Sequence, residues 1–357
     1  MKYYISVLKI TPNFDFKLGE KHVNYAKVYR YLGIHLSEHL NFSTAEKVLA
    51  ESSGRALSGI INKFKYLGNM GFKTFTKLYD TGVVPIMDYG SEVWGKDCFD
   101  NGEKIQNRAI RYFLGVHRFA PIASITGDMG WESCNNRRMI RMLRLWNRLI
   151  KIPDTRLVKR IFLADCNANK PNTWATDVKK ICNLIDVNEK YDEKSFIDLD
   201  AARKSISYSE NIEWSNVVQS KPKLRTYKIF KTRYETEPYI TANISRSERS
   251  FIAQLRSGIL PLRIETGRFS RIELEHRTCQ LCDLNVIESE EHFLFSCPFY
   301  NEFRNQFYDM ISNIDQNFNL NLYNEEKFKI IMNKTCVKAT SKFISKCFFK
   351  RKDFLFK

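Results

Sequence analysis

Three cysteines and one histidine near the C-terminal end of the sequence have the spacing of a metal site. Cys279 and Cys282 are separated by two residues, which lets both sulfur atoms turn toward one point. His292 follows after nine further residues, and Cys297 after four more. Three thiolates and one imidazole complete a tetrahedral zinc shell and leave no position for a reactive water. The sequence therefore predicts a structural zinc site, and not a catalytic one, at these four residues.

Two other interpretations of this cluster remain open from the sequence. Cys279 and Cys282 also have the spacing of a redox pair, although such a pair belongs at a helix start in a βαβ setting, which residues 277–287 do not resemble. The cysteines could also be free thiols. The retroviral zinc knuckle has four residues before its histidine where this chain has nine, so its mode of RNA binding cannot be transferred.

A basic stripe is the second feature of the sequence that could bind a ligand. Apolar residues at helical spacing predict a helix from about Arg137 to Ile152, which Pro153 ends. Five cations recur on another side of this helix, at steps of four, three, four and three residues, with no acidic residue in the segment. They are Arg137, Arg141, Arg144, Arg148 and Lys151. The stripe could contact the phosphates of a nucleic acid, or it could be a solvated face opposite a packed one.

The charge of the whole chain favours a polyanionic partner. The 357 residues carry a net charge of +17, and nucleic acid is the commonest polyanion in cells. An acidic protein partner, or no such partner, remains possible. From Lys338 to Lys350, lysines recur every fourth residue; nucleic acid, a membrane surface or a solvated face could explain them, and the solvated face is the favoured interpretation.

The cell compartment is predicted from what the sequence does not contain. No apolar run approaches the length of about eighteen residues that a membrane span needs, and the segment from Met1 to Val7 is too short for a secretory signal. Nine cysteines, an odd number and mostly single, as at Cys98, do not form a disulfide framework. We therefore expect an intracellular protein, nuclear or cytoplasmic, without a membrane partner.

The pattern of apolar residues predicts a mainly α protein with a short N-terminal β hairpin. Alternation from Phe14 to Leu18 and again from Val28 to Leu36 indicates an antiparallel pair. Ser43 and Glu46 have the spacing of a capping box, after which the pattern is helical. The predicted domains are a β hairpin over residues 1–40, a helical domain over 41–152, a helical connector over 153–245, a zinc module over 246–312 and a basic helical tail over 313–357.

Several short motifs follow one another in a recognisable order. They are Tyr31-Leu32-Gly33-Ile34, Pro85 with Asp88-Tyr89-Gly90 and Trp94, Gln106-Asn107-Arg108 with Arg111 and Gly115, and the segment Leu255–Arg304, which contains Leu-Arg-Ser-Gly-Ile-Leu-Pro-Leu-Arg-Ile-Glu-Thr-Gly-Arg and His292-Phe-Leu-Phe-Ser-Cys-Pro-Phe-Tyr. In this order they resemble the C-terminal region of reverse transcriptases from non-LTR (LINE-type) retrotransposons. The resemblance extends over nearly the whole chain and is weakest between residues 155 and 220.

The resemblance implies a thumb-like role for residues 41–152, which would hold an RNA–DNA duplex, while the zinc end would engage RNA or target DNA. The catalytic palm of that family carries two adjacent aspartates that bind metal ions, and this sequence contains no Asp-Asp pair. We therefore expect a nucleic-acid-binding fragment without polymerase activity, whose palm would precede Met1. The alternatives are a zinc-stabilised protein-interaction module and an inactive truncated copy; no particular protein partner is predicted.

Overall fold

The computed structural model describes residues 16–24, 26–39, 41–67, 70–95 and 100–355. The predictions that concern Phe14 and Cys98 lie outside these residues. Helix accounts for 66% of the structure and strand for 4%, which confirms the mainly α fold with a small N-terminal β region. The described cysteines form no disulfide. None of the described helices is both long enough and apolar enough to cross a membrane.

The N-terminal β region contains two hairpins where the sequence predicted one. Strand β1 (Lys17–Leu18) pairs antiparallel with β2 (Lys21–His22), and β3 (Val28–Tyr31) pairs antiparallel with β4 (Ile34–Ser37). The second alternating run is therefore not a single strand, because it reverses at Leu32 and Gly33. These two residues have φ angles of 46° and 87°, and two consecutive positive values are what a two-residue hairpin turn of type I′ requires.

Ten helices follow the hairpins. They are α1 (Ser43–Leu67), α2 (Phe72–Gly82), α3 (Val84–Met87), α4 (Ser91–Trp94), α5 (Asp100–Leu114), α6 (Ile122–Met129), α7 (Cys134–Lys151), α8 (Leu157–Ala168), α9 (Trp174–Leu184) and α10 (Asn188–Asp192). Helix α1 begins at Ser43 as predicted, but the capping box is not formed. The Asn41 side chain accepts from Ser43 N instead, and the buried Glu46 carboxylate accepts from Asn101 Nδ2 and Gly102 N.

The remaining helices lead to the C-terminus. They are α11 (Leu199–Ser220), α12 (Tyr227–Phe230), α13 (Pro238–Thr241), α14 (Arg246–Arg256), α15 (Arg263–Phe269), α16 (Asn301–Ile314), α17 (Asn324–Ile331) and α18 (Val337–Leu355). Short 3₁₀ turns at Pro222–Leu224, Leu274–His276 and Pro298–Tyr300 connect them.

The chain divides into two compact units. Unit 1 comprises Met1–Ile60, Leu78–Gln106 and Glu132–Ser207. Unit 2 comprises Ile61–Lys77, Asn107–Trp131 and Tyr208–Lys357.

The core of unit 1 is built around Trp146 of α7. Its ring stacks on Tyr191 and meets Phe162 edge to face, with centroids 5.1 Å apart in both pairs. The Trp146 indole N–H donates to the carbonyl of Ser195, so its one polar group is satisfied in the core. The apolar residues that predicted this helix, including Met142 and Leu143, are buried in the same cluster. Helix α7 therefore lies with one face in the core.

In unit 2, α18 packs against α14 and α16. The Phe343 ring of α18 stacks on Phe307 of α16, with centroids 4.5 Å apart and planes inclined by 6°. Phe343 also stacks on Phe293, which follows the metal ligand candidate His292 directly. The segment predicted as a basic tail thus contributes a buried face to the core that supports the cysteine cluster.

Unit 2 also contains a buried ionic cluster. The Arg256 guanidinium donates to both carboxylate oxygens of Asp128, each at 2.8 Å, and its Nη2 lies 2.8 Å from Glu237. Tyr239 donates its hydroxyl to Asp128 at 2.8 Å, and Lys231 Nζ lies 2.6 Å from Glu237. Since Arg256 and Asp128 are each 1% exposed, their charges are compensated by each other and not by water.

Candidate metal centre and basic surface

The structure brings Cys279, Cys282, His292 and Cys297 together as a possible metal site. Their ligand atoms all lie within 4.8 Å of one another. Cys279 Sγ is 3.9 Å from Cys297 Sγ, and Cys282 Sγ is 3.4 Å from His292 Nε2. A tetrahedral zinc ion with ordinary bond lengths would space such atoms by about 3.5 to 3.8 Å. The donor set and its spacing therefore fit a four-coordinate metal ion.

A short β-like ribbon positions the first two cysteines. Thr278 and Ile287 form an isolated antiparallel bridge, and Cys279 N donates to the carbonyl of Val286 at 2.9 Å. Asn285, with a φ angle of 52°, lies in the loop between them. Such a left-handed residue lets the chain reverse tightly. The ribbon thus holds both sulfurs of the Cys-x-x-Cys segment near its tip.

The other two ligands come from a single helical turn. Residues His292–Ser296 form a π-helical turn, and Cys297 N donates to the carbonyl of His292 at 2.8 Å. Arg304 of α16 lies beneath this turn, buried, and donates to the carbonyls of Leu294 at 2.8 Å and Cys297 at 2.7 Å. These bonds fix the turn to α16, so the positions of His292 and Cys297 depend on a residue outside the motif.

The histidine ring is oriented by its own turn. His292 Nδ1 lies 3.1 Å from Ser296 Oγ, which leaves Nε2 facing Cys282. A second contact of this kind is usual for a metal-binding histidine, because it fixes the ring and the nitrogen that binds. Ser296 was not predicted from the sequence, although a hydroxyl four residues after a helical histidine is the signal that could have identified it.

The pKa values of the three thiols are shifted by their contacts with one another and by burial. The hydrogen bond between Cys279 and Cys297, together with burial, raises the pKa of Cys279 to about 12. The same hydrogen bond lowers the pKa of Cys297, and burial raises that of Cys282. A metal ion that binds these sulfurs must displace protons, which strongly thiophilic ions such as zinc do.

Glu288 connects the cysteine cluster to the C-terminal helix. This carboxylate is 1% exposed and lies 3.9 Å from Cys279 Sγ. It also accepts from Arg351 of α18 through both guanidinium nitrogens Nη1 and Nη2, and from the backbone N–H of Arg263 at 2.7 Å. Glu288 was not predictable from the sequence, because its partner Arg351 is 63 residues away along the chain.

The basic stripe of α7 is divided between two environments. Arg137 and Arg141 are partly buried, whereas the side chains of Arg144, Arg148 and Lys151 are exposed. Among the residues that the structure describes, no acidic side chain forms an ion pair with Arg144, Arg148 or Lys151. Lys151 lies over the ring of Phe196, 5.3 Å from its centroid. Only these three C-terminal members of the stripe are therefore open to a ligand.

The first half of α7 is bound to Asp88, which is fully buried. Arg137 Nε donates to Asp88 Oδ2 at 3.0 Å, and Arg138 Nε donates to Oδ1 at 3.2 Å. Arg141 Nη1 donates to the Asp88 carbonyl at 3.0 Å, and Arg138 also lies over the Trp94 ring at 4.8 Å. Arg138 was not part of the predicted stripe, because the steps of four and three residues that define the stripe begin at Arg137. Arg137 thus has a structural partner.

Comparison of the chain with family models, with curated proteins and with solved structures finds no significant match in any of the three.

Proposed function

We propose that this protein binds nucleic acid, RNA or an RNA–DNA hybrid, without catalysing a reaction, and that a structural zinc ion stabilises its C-terminal module. The observation that carries the proposal is the row of exposed cations Arg144, Arg148 and Lys151 on α7, with which no acidic side chain in the described part of the chain forms an ion pair. A rigid helix that presents cations along one side suits a phosphate backbone, which is charged at regular intervals whatever its sequence. The resemblance to the thumb region of non-LTR reverse transcriptases supports the same partner.

Zinc is the metal that the donor set favours. Three cysteine sulfurs and one histidine nitrogen form a closed tetrahedral set, and soft sulfur ligands select zinc over magnesium or calcium. When bound, zinc would supply stability and no reaction chemistry, because all four positions are taken by protein. Cys279, Cys282, His292 and Cys297 would hold it, with Ser296 orienting the histidine.

The non-catalytic part of the proposal rests on the aspartates. The sequence has no adjacent pair of aspartates for two-metal chemistry. Asp88 and Asp128, which are the most deeply buried aspartates among the described residues, each accept hydrogen bonds from arginine side chains. A carboxylate already neutralised by a guanidinium is a poor ligand for a catalytic cation.

The metal is tested by its measured content. Protein purified without added metal is expected to contain about one zinc per chain, and Cys282→Ser to lose it, because three ligands bind far more weakly than four. Cys166→Ser, which changes a partly buried thiol outside the cluster, serves as the control and should retain the metal. Equal zinc content in both variants would refute the site.

Nucleic-acid binding is tested by its dependence on salt. The protein should bind an RNA–DNA hybrid with an affinity that falls steeply as salt rises, and the double variant Arg144→Ala, Arg148→Ala should lower the slope by about two, one unit for each lost phosphate contact. The control variant Lys329→Ala removes one exposed cation elsewhere. Absence of binding at low salt would refute the proposal.

A protein-interaction module is the second candidate, and one observation favours it. Helix α8 exposes three apolar side chains on neighbouring positions, Leu157 at 69%, Val158 at 47% and Ile161 at 60% exposure. A contiguous apolar patch on a surface is typical of a protein contact. Association with a protein through this patch would be insensitive to salt, which distinguishes it from phosphate binding in the same experiment.

A further inference from the structure

A cavity of about 450 Å³ lies in unit 2 beside the cysteine cluster. It is formed by α14, α15, α18 and the loop between Cys279 and Cys282. Its size falls within the range of about 300 to 1,000 Å³ that small-ligand sites occupy. Its lining includes Phe251, Arg263, Gln280, Phe348, Phe349 and Lys352.

One wall of the cavity is aromatic. The rings of Phe251 and Phe348 are stacked, with centroids 5.4 Å apart and planes inclined by 29°. Phe349 also lines the cavity and is 62% exposed. Exposed aromatic rings offer flat apolar surface to a planar ligand, and nucleobases stack on such rings whatever their identity.

Pro261 and Leu355 extend the apolar lining, the other lining residues are polar or cationic, and none of the residues that line the cavity is acidic. The charge of Arg351 is compensated by Glu288, but Lys352 is exposed and forms no ion pair within the described part of the chain. The Nε–H of Arg263 is buried and has no hydrogen-bond partner among the described residues. Lys352 and the partly exposed Arg263 thus bring positive charge to the cavity without an acidic partner among the described residues, and an anionic ligand would compensate it.

We propose that this cavity receives one nucleotide of a single-stranded nucleic acid. The base would lie against the phenylalanine wall, with Phe349 as the stacking residue, and the phosphate would lie near Arg263 and Lys352. The amide of Gln280 can both donate to and accept from a base edge. An acidic peptide would match the charge but would leave the flat aromatic surface without a planar partner. This inference rests on the proposed function and adds a second contact for the same class of ligand.

The cavity is tested by comparing two strands of equal charge. Fluorescence anisotropy would measure binding of a single-stranded oligonucleotide of about ten nucleotides and of an abasic sugar-phosphate strand of the same length. The base-bearing strand is expected to bind at least about fivefold more tightly, and Phe349→Ala to remove that preference. Phe349→Tyr, which keeps a ring, should retain the preference.

A matched pair of lysine variants tests the cationic side. Lys352→Ala and Lys346→Ala each remove one charge from an exposed position on α18, but only Lys352 lines the cavity. Lys352→Ala is expected to weaken binding of the base-bearing strand more than Lys346→Ala does, because only Lys352 would lie near a phosphate in the cavity.

The outcomes separate this inference from the proposed function. If the wild-type protein binds both strands equally, or if Phe349→Ala retains the preference, the cavity is not a nucleotide site, although phosphate binding by α7 stands. If neither strand binds at low salt, the cavity inference fails; if the RNA–DNA hybrid does not bind either, the proposed function fails with it. If poly-glutamate of equal charge displaces the base-bearing strand as effectively as unlabelled strand does, the occupant is an acidic peptide and the nucleotide assignment is overturned.

Discussion

The two ends of α7 carry the same kind of side chain in opposite surroundings. Near its start, Arg137 and Arg138 share the buried carboxylate of Asp88. Near its end, Arg144 and Arg148 are exposed and have no acidic partner among the described residues. Cations of the first kind stabilise the fold, and only those of the second kind can meet a ligand. The number of cations in a helix therefore overstates the number available for binding.

Unit 2 shows the same contrast by itself. Arg256 is enclosed by Asp128 and Glu237, while Lys342 and Lys346 of α18 are exposed. A buried arginine without its carboxylate would be an uncompensated charge in a medium of low dielectric constant, which is strongly destabilising. The exposed lysines stay hydrated in either case, so their removal leaves stability nearly unchanged.

The largest expected effect comes from breaking the buried end of α7. Asp88→Ala leaves Arg138, which is 2% exposed, with Glu46 at 4.0 Å as its remaining acidic partner among the residues that the structure describes. The free energy of unfolding is expected to fall by about 3 to 5 kcal/mol. Urea unfolding followed by circular dichroism measures it, with the exposed Asp154→Ala as the control. A loss no greater than that of the control would mean that the cluster contributes nothing to stability.

Replacing one arginine by lysine at each end of α7 compares the two ends without changing the charge. Arg138→Lys keeps the charge but loses the Nε–H bond to Asp88 and the planar group over Trp94, so we expect a loss of about 1.5 to 3 kcal/mol. Arg148→Lys, at an exposed position, should stay within about 0.5 kcal/mol of wild type. If both exchanges have equal effects in urea unfolding, the two ends of α7 do not differ as described.

The smallest effect is expected for a charge-preserving exchange at the exposed end. The double variant Arg144→Lys, Arg148→Lys should bind an RNA–DNA hybrid within about twofold of wild type, with the same salt dependence, because lysine and arginine both neutralise phosphates. Filter binding across a salt series measures this. A large loss would indicate that these arginines make directional two-bond contacts, which lysine cannot reproduce.

Several features of the fold and the site were predictable from local spacing. The structure confirms the mainly α fold. This fold was predictable because the 3.6-residue apolar period can be recognised within each helix separately. The grouping of Cys279, Cys282, His292 and Cys297 followed from ligand types and short separations, although Arg304, which fixes the turn of His292 and Cys297, lies outside the motif. The hairpin pairing was less predictable, because alternation continues through a turn when the turn residues include an apolar one such as Leu32.

By itself the sequence determined which residues share a helix face and which side chains are of a type that can bind a metal ion. Only the tertiary structure decided what covers each face: Asp88 meets Arg138 from 50 residues away, and Glu288 meets Arg351 from 63. Periodicity reports the direction of a side chain from its own helix axis, whereas burial depends on which distant segment packs there. For this reason the five cations of the stripe divide into two groups: Arg137 and Arg141 are partly buried and bonded to Asp88, and the other three are exposed.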